Sequence, residues 1–600
     1  MKIICPIKQV PHPSAIDFNE ETKSLKREGV PLLLNPFDAW TVAHAVRLGA
    51  DEVVAMTMGP PQAEDALRQC LALGVDRCIH LSDRVFAVAD TIGTSRTLAM
   101  AIERDGADLV VCGRKAVDAE TWQVPPQVAA FLGWPQVTGV TELQLDGDVL
   151  RVTRETDEGS DLYEVTPPAV VSVGAPPERS FDPPDPVEGD APITVVTAAD
   201  LVSDLRENDK RFGQPGSPTR VLAVRDVRPQ RAAKRVESPA EAAELLTPLA
   251  DPPEASATSW EKPERLGEEP GEAYDSWTLV EVRDGKPTRL SLELVGKGRE
   301  LAGKLGGTNV ALLLGADVTG AAQEAARYGA EIVYTAEHPA LGEYHPDTFA
   351  LALRRIVQQY RPHTLAIPAS ASGRDYGPRV AGELELGMTA DCVNLGIDRA
   401  GRLIQTKPAY GGAFISVIMG ATTPQFATVR SRMFELLEPR DDHDADIRTI
   451  DLGGLGDLGT PGPVQLVERR HDSAGYLLEE ADIVVGVGTG AGGPAAVQEI
   501  DALAARVGAP VGGDREACEA GWVPRNRQIG LYGRAIAPRL YIAVGVNGDF
   551  EHLTGPMKAA SIVALDADAR SPMLDAADVA LVGDWRDTLP PLLDAISQRR

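Results

Sequence analysis

The chain has 600 residues, 43% of them hydrophobic and 24% charged, and carries a net charge of −29. At roughly 150 residues per domain, this length argues against a single core and suggests about four domains. No apolar run approaches the roughly 18 to 20 residues that cross a bilayer, so membrane insertion is not expected. The acidity disfavours nucleic acid and anionic membranes as partners, since both need a basic footprint.

The opening MKIICPIKQV lacks the apolar core and cleavage site of a signal peptide and reads as a buried strand, so the cytoplasm is the expected compartment. Six cysteines (Cys5, Cys70, Cys78, Cys112, Cys392, Cys518) form no C-x-x-C pair. Buried free thiols are therefore expected, with no metal site.

From the N-terminus, β-branched runs alternate with amphipathic stretches: AWTVAHAVRL, DEVVAMTMG, EDALRQCLAL, RCIHLS, TLAMAIERDG and ADLVVCG. That alternation predicts βαβ units around a parallel sheet. The same grammar returns in TNVALLLG, AAQEAARYG, AEIVYTAE, FALALRRIVQQY and HTLAIPAS. ADLVVCGRKAVDAETWQVPPQVAAFLG and PHTLAIPASASGRDYGPRVAGELELG share a strand, a polar loop, a Pro-containing helix start and a closing Leu-Gly, as two related domains would.

Between them, TAADLVSDLREN and ESPAEAAELL predict helices in an ordered arm, and the Pro- and Glu-rich stretch before Asp275 predicts a solvated linker. A third α/β unit follows the glycine-rich GGLGDLGTPG. The expected organisation is α/β throughout. It has a first domain with its arm over 1–250, a linker over 251–275, a second domain over 276–460, a hinge over 461–478 and a Rossmann-like domain over 479–600.

The third unit opens with DIVVGVGTGAGGPAAV, in which Gly488, Gly490 and Gly493 have the spacing G-x-G-x-x-G. Asp514 sits near the distance, about 20 residues on, at which a ribose-binding acid follows such a turn. On these residues alone an NAD-binding dehydrogenase is one reading.

GGDREACEAGWVPRNRQIGLYGRAIAPRLYIAVGVNGDFEHLTGP resembles the flavin-binding domain of the α subunit of electron transfer flavoproteins, and SLELVGKGRELAGKLGG, SGRDYGPRVAGELELGMTADC, QTKPAYGG and PQFATVR extend that likeness back to about residue 275. KQVPHP, LNPFDAWTVAHAVRL, LALGVDRCIHLSD, GRKAVDAETWQVPPQ and GSPTRVLAV resemble the β subunit. Together they imply a β-then-α fusion whose last domain binds FAD.

The resemblance also assigns residues. Thr489 replaces an arginine that touches FAD, and Arg515, next to Asp514, matches the arginine placed against the isoalloxazine, where a fixed guanidinium favours a negatively charged flavin. His552 matches the histidine donating to the flavin pyrimidine carbonyl, at the end of a turn through Asp549, Phe550 and Glu551. Gln528, Ile529, Gly530, Leu531 and Tyr532 match a V-G-Q-T-G loop, with Tyr532 replacing the threonine near flavin N5, where its phenol could donate or stack. Asn547 and Gly548 fall at the pyrophosphate, and Asp566, Asp584 and Trp585 on the adenosine side.

In the first half, Pro6, Asn35, Pro36, Phe37, Asp38, Ala63, Gly113, Asp118, Thr121, Gln123 and Val124 fall where the family holds AMP or, in electron-bifurcating members, a second FAD. Val88 and Ala119 stand where the bifurcating members have glycine, and a larger Cβ could close the room a flavin needs. Asp118, Thr121 and Gln123 could instead cap the helix starting near Pro125.

The function implied is electron transfer through FAD from flavoprotein dehydrogenases of acyl-CoA or N-methyl amine type to a membrane quinone oxidoreductase, with the flavin domain swivelling on its hinge. The first alternative is NADH-dependent bifurcation with a second FAD. The second is a nucleotide-binding module without redox work. The loop Phe181–Pro192 lacks the apolar anchor and flanking lysines with which family members grip the dehydrogenase.

Overall fold

The structure is a computed structural model that describes residues 1–12, 15–19, 24–26, 29–227, 231–246, 259–266, 274–453, 462–472 and 474–598. It has three main sheets. In the first, strand Lys2–Pro6 lies at the centre, flanked by Glu52–Met58 and Arg77–Leu81 on one side and by Leu109–Gly113 and Ala169–Val173 on the other, all parallel. In the second, Ser276–Val280 is flanked by Asn309–Gly315 and Ile332–Glu337, and on its other side by Thr364–Pro368 and Gln425–Val429. The strand order is the same, so the repeat in the sequence is a repeat in the fold.

These strands read as continuous β-branched runs because helices cover both faces of each sheet; Asn309–Gly315 and Thr364–Pro368 are buried at every position. The equivalent helices of the two repeats, Val124–Leu132 and Gly373–Glu383, pack on each other, and at Gly382 a Cβ would lie 2.9 Å from that of Ala130. Glycine at this point lets the two backbones approach.

The third sheet is parallel, in the order Lys234–Val236, Val579–Val582, Ser561–Asp566, Leu540–Val544, Ile483–Val487, Val511–Gly513. Its first strand comes from the arm. The arm is ordered, and Pro239–Leu245 is helical as expected. TAADLVSDLREN is helical only over Ala198–Leu201, while Thr219–Asp226 pairs with Phe414–Gly420 of the second half.

One expectation is corrected, and the linker, whose described residues are all exposed or half-buried, gains an anchor. Within the hinge expected at 461–478, Val464–His471 is a strand paired antiparallel with Gly159–Val165, which adds an edge to the first sheet; residues 454–461 and 473 lie outside the described residues. Within the linker expected to be solvated, the Trp260 indole donates to Glu438 O (2.9 Å) and its ring lies under Arg299 and Arg440. Local composition could show neither contact, because each partner lies far away in sequence.

All six cysteines are buried and unbridged. Among the described residues no helix is long and apolar enough to cross a membrane, and no cluster of metal-ligating side chains forms.

Arg154 of the first half and Asp375 of the second are both fully buried, 3.5 Å apart, and Arg154 also donates to Ala371 O (2.8 Å). Arg154→Ala leaves a buried carboxylate without its counter-charge, and a loss of about 3–5 kcal/mol is expected, read as a lowered midpoint in chemical denaturation.

Candidate functional site at the carboxyl edge of the third sheet

The flavin residues named from the sequence gather at the carboxyl ends of the parallel strands, where ligands of open α/β sheets bind. Gly488–Gly493 follows Ile483–Val487, Asp514 and Arg515 follow Val511–Gly513, and Asn547–His552 follows Leu540–Val544. Asp566 ends its strand, and Asp584 and Trp585 open the last helix. The loop Gln528–Tyr532 closes over this edge: Ile529 N donates to Gly513 O (2.8 Å) and Leu531 N to Glu551 O (2.7 Å).

The glycine turn is fixed by backbone packing. A Cβ at Gly488 would lie 2.3 Å from Gly545 O and 2.5 Å from Asp514 Oδ2, and one at Gly490 would lie 2.8 Å from Gly545 Cα. Gly492 and Gly493 adopt φ of 100° and 133°, and a Cβ on either would meet nothing within 4 Å. The turn leads into the helix Pro494–Ala505, whose N-terminal amides suit a diphosphate. Trp585 is buried and its Nε1 donates to Ala491 O (3.1 Å), so it braces the turn. Thr489 is exposed at the tip.

Asp514 caps the next helix by accepting from Ala517 N (2.8 Å), and burial pushes its carboxyl up to about 7. Arg515 pairs with Glu551 (2.8 Å) and Glu516 (3.3 Å). His552 is buried, shares a 2.7 Å hydrogen bond between its Nε2 and Tyr541 Oη, and lies against the backbone of Ile529. Desolvation pushes it down to about 4, so the imidazole is neutral at physiological pH.

Asn547 is exposed, and Gly548, at φ 78°, is backed by Met573. Asp549 accepts from His552 N (2.7 Å), Asp566 from Asp568 N (2.9 Å) and Asp584 from Arg586 N (2.9 Å), so these acids shape the turns at the edge. Gln528 is buried behind the loop.

Tyr532 lies where the third domain meets the first half. Its ring packs on Phe37 (5.8 Å) and Trp40 (5.3 Å) of the first half, next to Leu531, Val10 and Phe550, and its hydroxyl lies 3.4 Å from Glu551 Oε1. Arg114 Nη2 donates to Tyr532 O (3.1 Å). Trp40 and Arg114 were not singled out from the sequence, because nothing local tells which ring meets another domain.

The first-half residues also converge. Pro6 and Gly113 end adjacent strands, Pro36, Phe37 and Asp38 open a helix, and Ala63 is packed under Gly59. The amide of Asn35 is fully used, donating to Lys115 O (3.0 Å) and accepting from Val117 N (3.1 Å). Asp38 accepts from Lys8 N (2.7 Å), and burial pushes its carboxyl up to about 7. A Cβ at Gly113 would lie 2.2 Å from Asp38 Oδ1.

The capping role for Asp118, Thr121 and Gln123 is not realised. The helix starts at Val124 without a side-chain cap, while Asp118 pairs with Lys8 (2.6 Å) and Thr121 stays in the preceding loop. Gln123, oriented to satisfy both ends of its amide, donates to Met388 O and accepts from Ala390 N of the second half (3.3 Å each). Val88 is 78% exposed, so its side chain closes no interior space.

A cavity of about 720 Å³ lies at the junction of all three domains, lined among others by Arg114, Trp122, Arg374, Arg430, Arg534 and Lys558. Trp122 lies within 4.8 to 5.3 Å of three cations, Arg114, Lys115 and Arg374. Burial pushes Lys115 down to about 8.

A duplicated parallel α/β base carrying a third parallel domain, with a glycine turn, an arginine and a neutral histidine at its strand ends, defines a dinucleotide-binding α/β protein. The model of the electron transfer flavoprotein domain matches residues 22–201 and again 276–453, and that of the electron transfer flavoprotein FAD-binding domain matches 477–557. The chain belongs to the electron transfer flavoprotein family.

Among its relatives is the electron transfer flavoprotein subunit alpha of Thermoanaerobacterium thermosaccharolyticum, 34% identical over 54% of this chain and 98% of the relative. Protein FixB of Azorhizobium caulinodans is 37% identical over 59% and 95%. Lactate dehydrogenase (NAD(+),ferredoxin) subunit LctC of Acetobacterium woodii is 32% identical over 53% and 75%.

The residues present fit FAD. Gly492 and Gly493 leave room in front of a helix N-terminus, where the diphosphate of a dinucleotide sits, and Arg515 and the neutral His552 lie at the same edge.

Two outcomes follow. Gly488→Ala drives a Cβ into Gly545 O, and a purified protein without stoichiometric FAD is expected, read from its visible spectrum. His552 titrates at 6.5 in the unfolded chain and at about 4 in the folded one. The unfolded state therefore binds the extra proton in this window, and stability falls by about 3 kcal/mol as pH drops from 6.5 to 4. In His552→Gln that component of the pH dependence of unfolding is absent.

Proposed function

We propose that this chain carries electrons from flavoprotein dehydrogenases of acyl-CoA or N-methyl amine type to a membrane quinone oxidoreductase, with FAD at the edge of the third sheet and AMP in the first half. Bound FAD supplies the one-electron chemistry. The observation that carries the reading is the glycine turn, open at Gly492 and Gly493 in front of a helix N-terminus, at the edge where Arg515 and the neutral His552 converge.

The roles of the chain's own groups follow from this placement. Gly488–Gly493 and the helix behind it bind the diphosphate. His552, held in place by Tyr541, brings a neutral imidazole to this edge, and Arg515 brings a positive charge to it. Phe37, Trp40 and Tyr532 exclude water between this edge and the first half. The loop Phe181–Pro192, without lysines, suits a dehydrogenase surface different from the lysine-gripped one.

A second reading, NADH-dependent bifurcation with FAD in place of AMP, is favoured by the relative whose name includes NAD(+) and ferredoxin, and by Val88 pointing to solvent. A non-redox nucleotide module has no observation in its favour.

Denaturing the purified protein and counting released nucleotides by chromatography separates these readings. One FAD and one AMP per chain are expected. Two FADs without AMP would establish the second reading, and a colourless protein that takes up no FAD would overturn both.

A further inference from the structure

Arg515 does not stand alone at the flavin edge. Its Nη1 lies 2.8 Å from Glu551 Oε2, and the other carboxylate oxygen of Glu551 lies 3.4 Å from Tyr532 Oη. The Glu551 backbone is locked to the flavin loop: its carbonyl accepts from Leu531 N (2.7 Å), and a Cβ at Gly530 would lie 2.6 Å from that oxygen. The carboxylate therefore sits beside the guanidinium by construction. The pair is only partly exposed, with 30% and 29% of the two side chains accessible, so the interaction is weakly screened.

We propose that Glu551 is a positioning counter-charge that sets how much positive charge Arg515 presents to the flavin, and that it takes up one proton when the flavin takes up one electron. The proposal rests on the reading of the edge as the FAD site. An ionised Glu551 cancels the guanidinium and disfavours electron uptake. A neutral Glu551 leaves that charge free to stabilise the negative charge that reduction adds.

The balance is one electron from a reduced redox partner to the flavin and one proton from solvent to the carboxylate, with no covalent bond to the flavin formed or broken. Burial pushes Glu551 up to about 7, so both of its states lie within physiological reach. The charged and titratable groups facing it are Arg515 and Glu516 from the helix after the second strand, Asp549 from its own turn, Asp182 from the first half and Tyr532 from the loop. Asp514, pushed up to about 7 beside Arg515, is the competing proton acceptor.

The test uses the full-length protein. FAD content is measured first, then the one-electron potential by spectroelectrochemistry with mediators from mildly acid to mildly alkaline buffer, and proton uptake on dithionite reduction with an indicator dye. In the wild type the potential should fall as pH rises, with a slope approaching one proton per electron. Glu551→Gln keeps the side-chain shape and should raise the potential at alkaline pH, flatten the slope and abolish the proton uptake, while Asp514→Asn keeps both.

A slope that survives in Glu551→Gln, or one lost in Asp514→Asn, overturns the proposal. So does a wild type that binds FAD yet takes up no proton, whatever the variants do. A wild type that binds no FAD overturns the flavoprotein reading together with it.

Discussion

The architecture depends on the pairing of charges that have lost water. A buried ion survives only beside an opposite charge and with its hydrogen bonds met, and here two of the pairs join different halves of the chain. Asp375 faces Arg154, and Glu120 lies between Lys115 (3.2 Å) and Arg430 (3.6 Å) while accepting from Gly411 N (2.8 Å). Lys407 donates to the carbonyl of Ala119. Burial alone would raise Asp391, but Arg374 and Arg430 outweigh it and hold its carboxyl far below the carboxylate range. Separating the two repeats would part Arg154 from Asp375 and Arg430 from Glu120, which ties them into one base.

Backbone strain brings these charges together. Glu120, Trp122, Asp391 and Tyr410 adopt φ of 46°, 61°, 57° and 51°, a region that costs a non-glycine residue roughly 1–2 kcal/mol. The turn at Glu120 aims its carboxylate inward, and the turn at Trp122 lays its ring beside Arg114, Lys115 and Arg374. Trp122 and Asp391 line the cavity at the junction, so part of this strain lies beside the space that all three domains share.

The alternation of buried strands and helices was legible because period and burial are local, and the duplication was legible because each repeat carries the same strand, loop and helix signals. Tertiary pairing was not. Nothing in VQLVERRH tells that it will extend the sheet of a strand some 300 residues earlier, and nothing in ATSWEKPE tells that Trp260 will find Glu438. At the site, the glycine turn and His552 were legible through the resemblance. The ring neighbours of Tyr532 were not legible, because a loop motif gives the position of a side chain along the chain but not the domain toward which its ring turns. Asp118 and Gln123 looked like caps because short polar residues before a Pro-rich helix usually are, whereas here Lys8 and the second half compete for them.

The flavin domain is held by two kinds of contact, and their difference decides what a rotation can break. Toward the arm the contact is apolar and strand-paired: Lys234–Val236 extends the third sheet, and Val236, Ala242, Ala243 and Leu246 are buried in its core. Toward the base, the contacts outside the aromatic cluster around Tyr532 are mainly polar. Arg534 meets Glu155 (2.8 Å), Asn526 meets Asp472 (3.0 Å) and Glu519 meets Ser180 N (3.2 Å). The Asn526 and Ser180 contacts lie at exposed or half-buried positions, where a hydrogen bond contributes about 1 kcal/mol, whereas fully burying a Val or Leu side chain contributes about 1.5–3 kcal/mol.

A rotation that breaks the weaker set keeps the arm attached to the flavin domain and keeps Val464–His471 paired with the base.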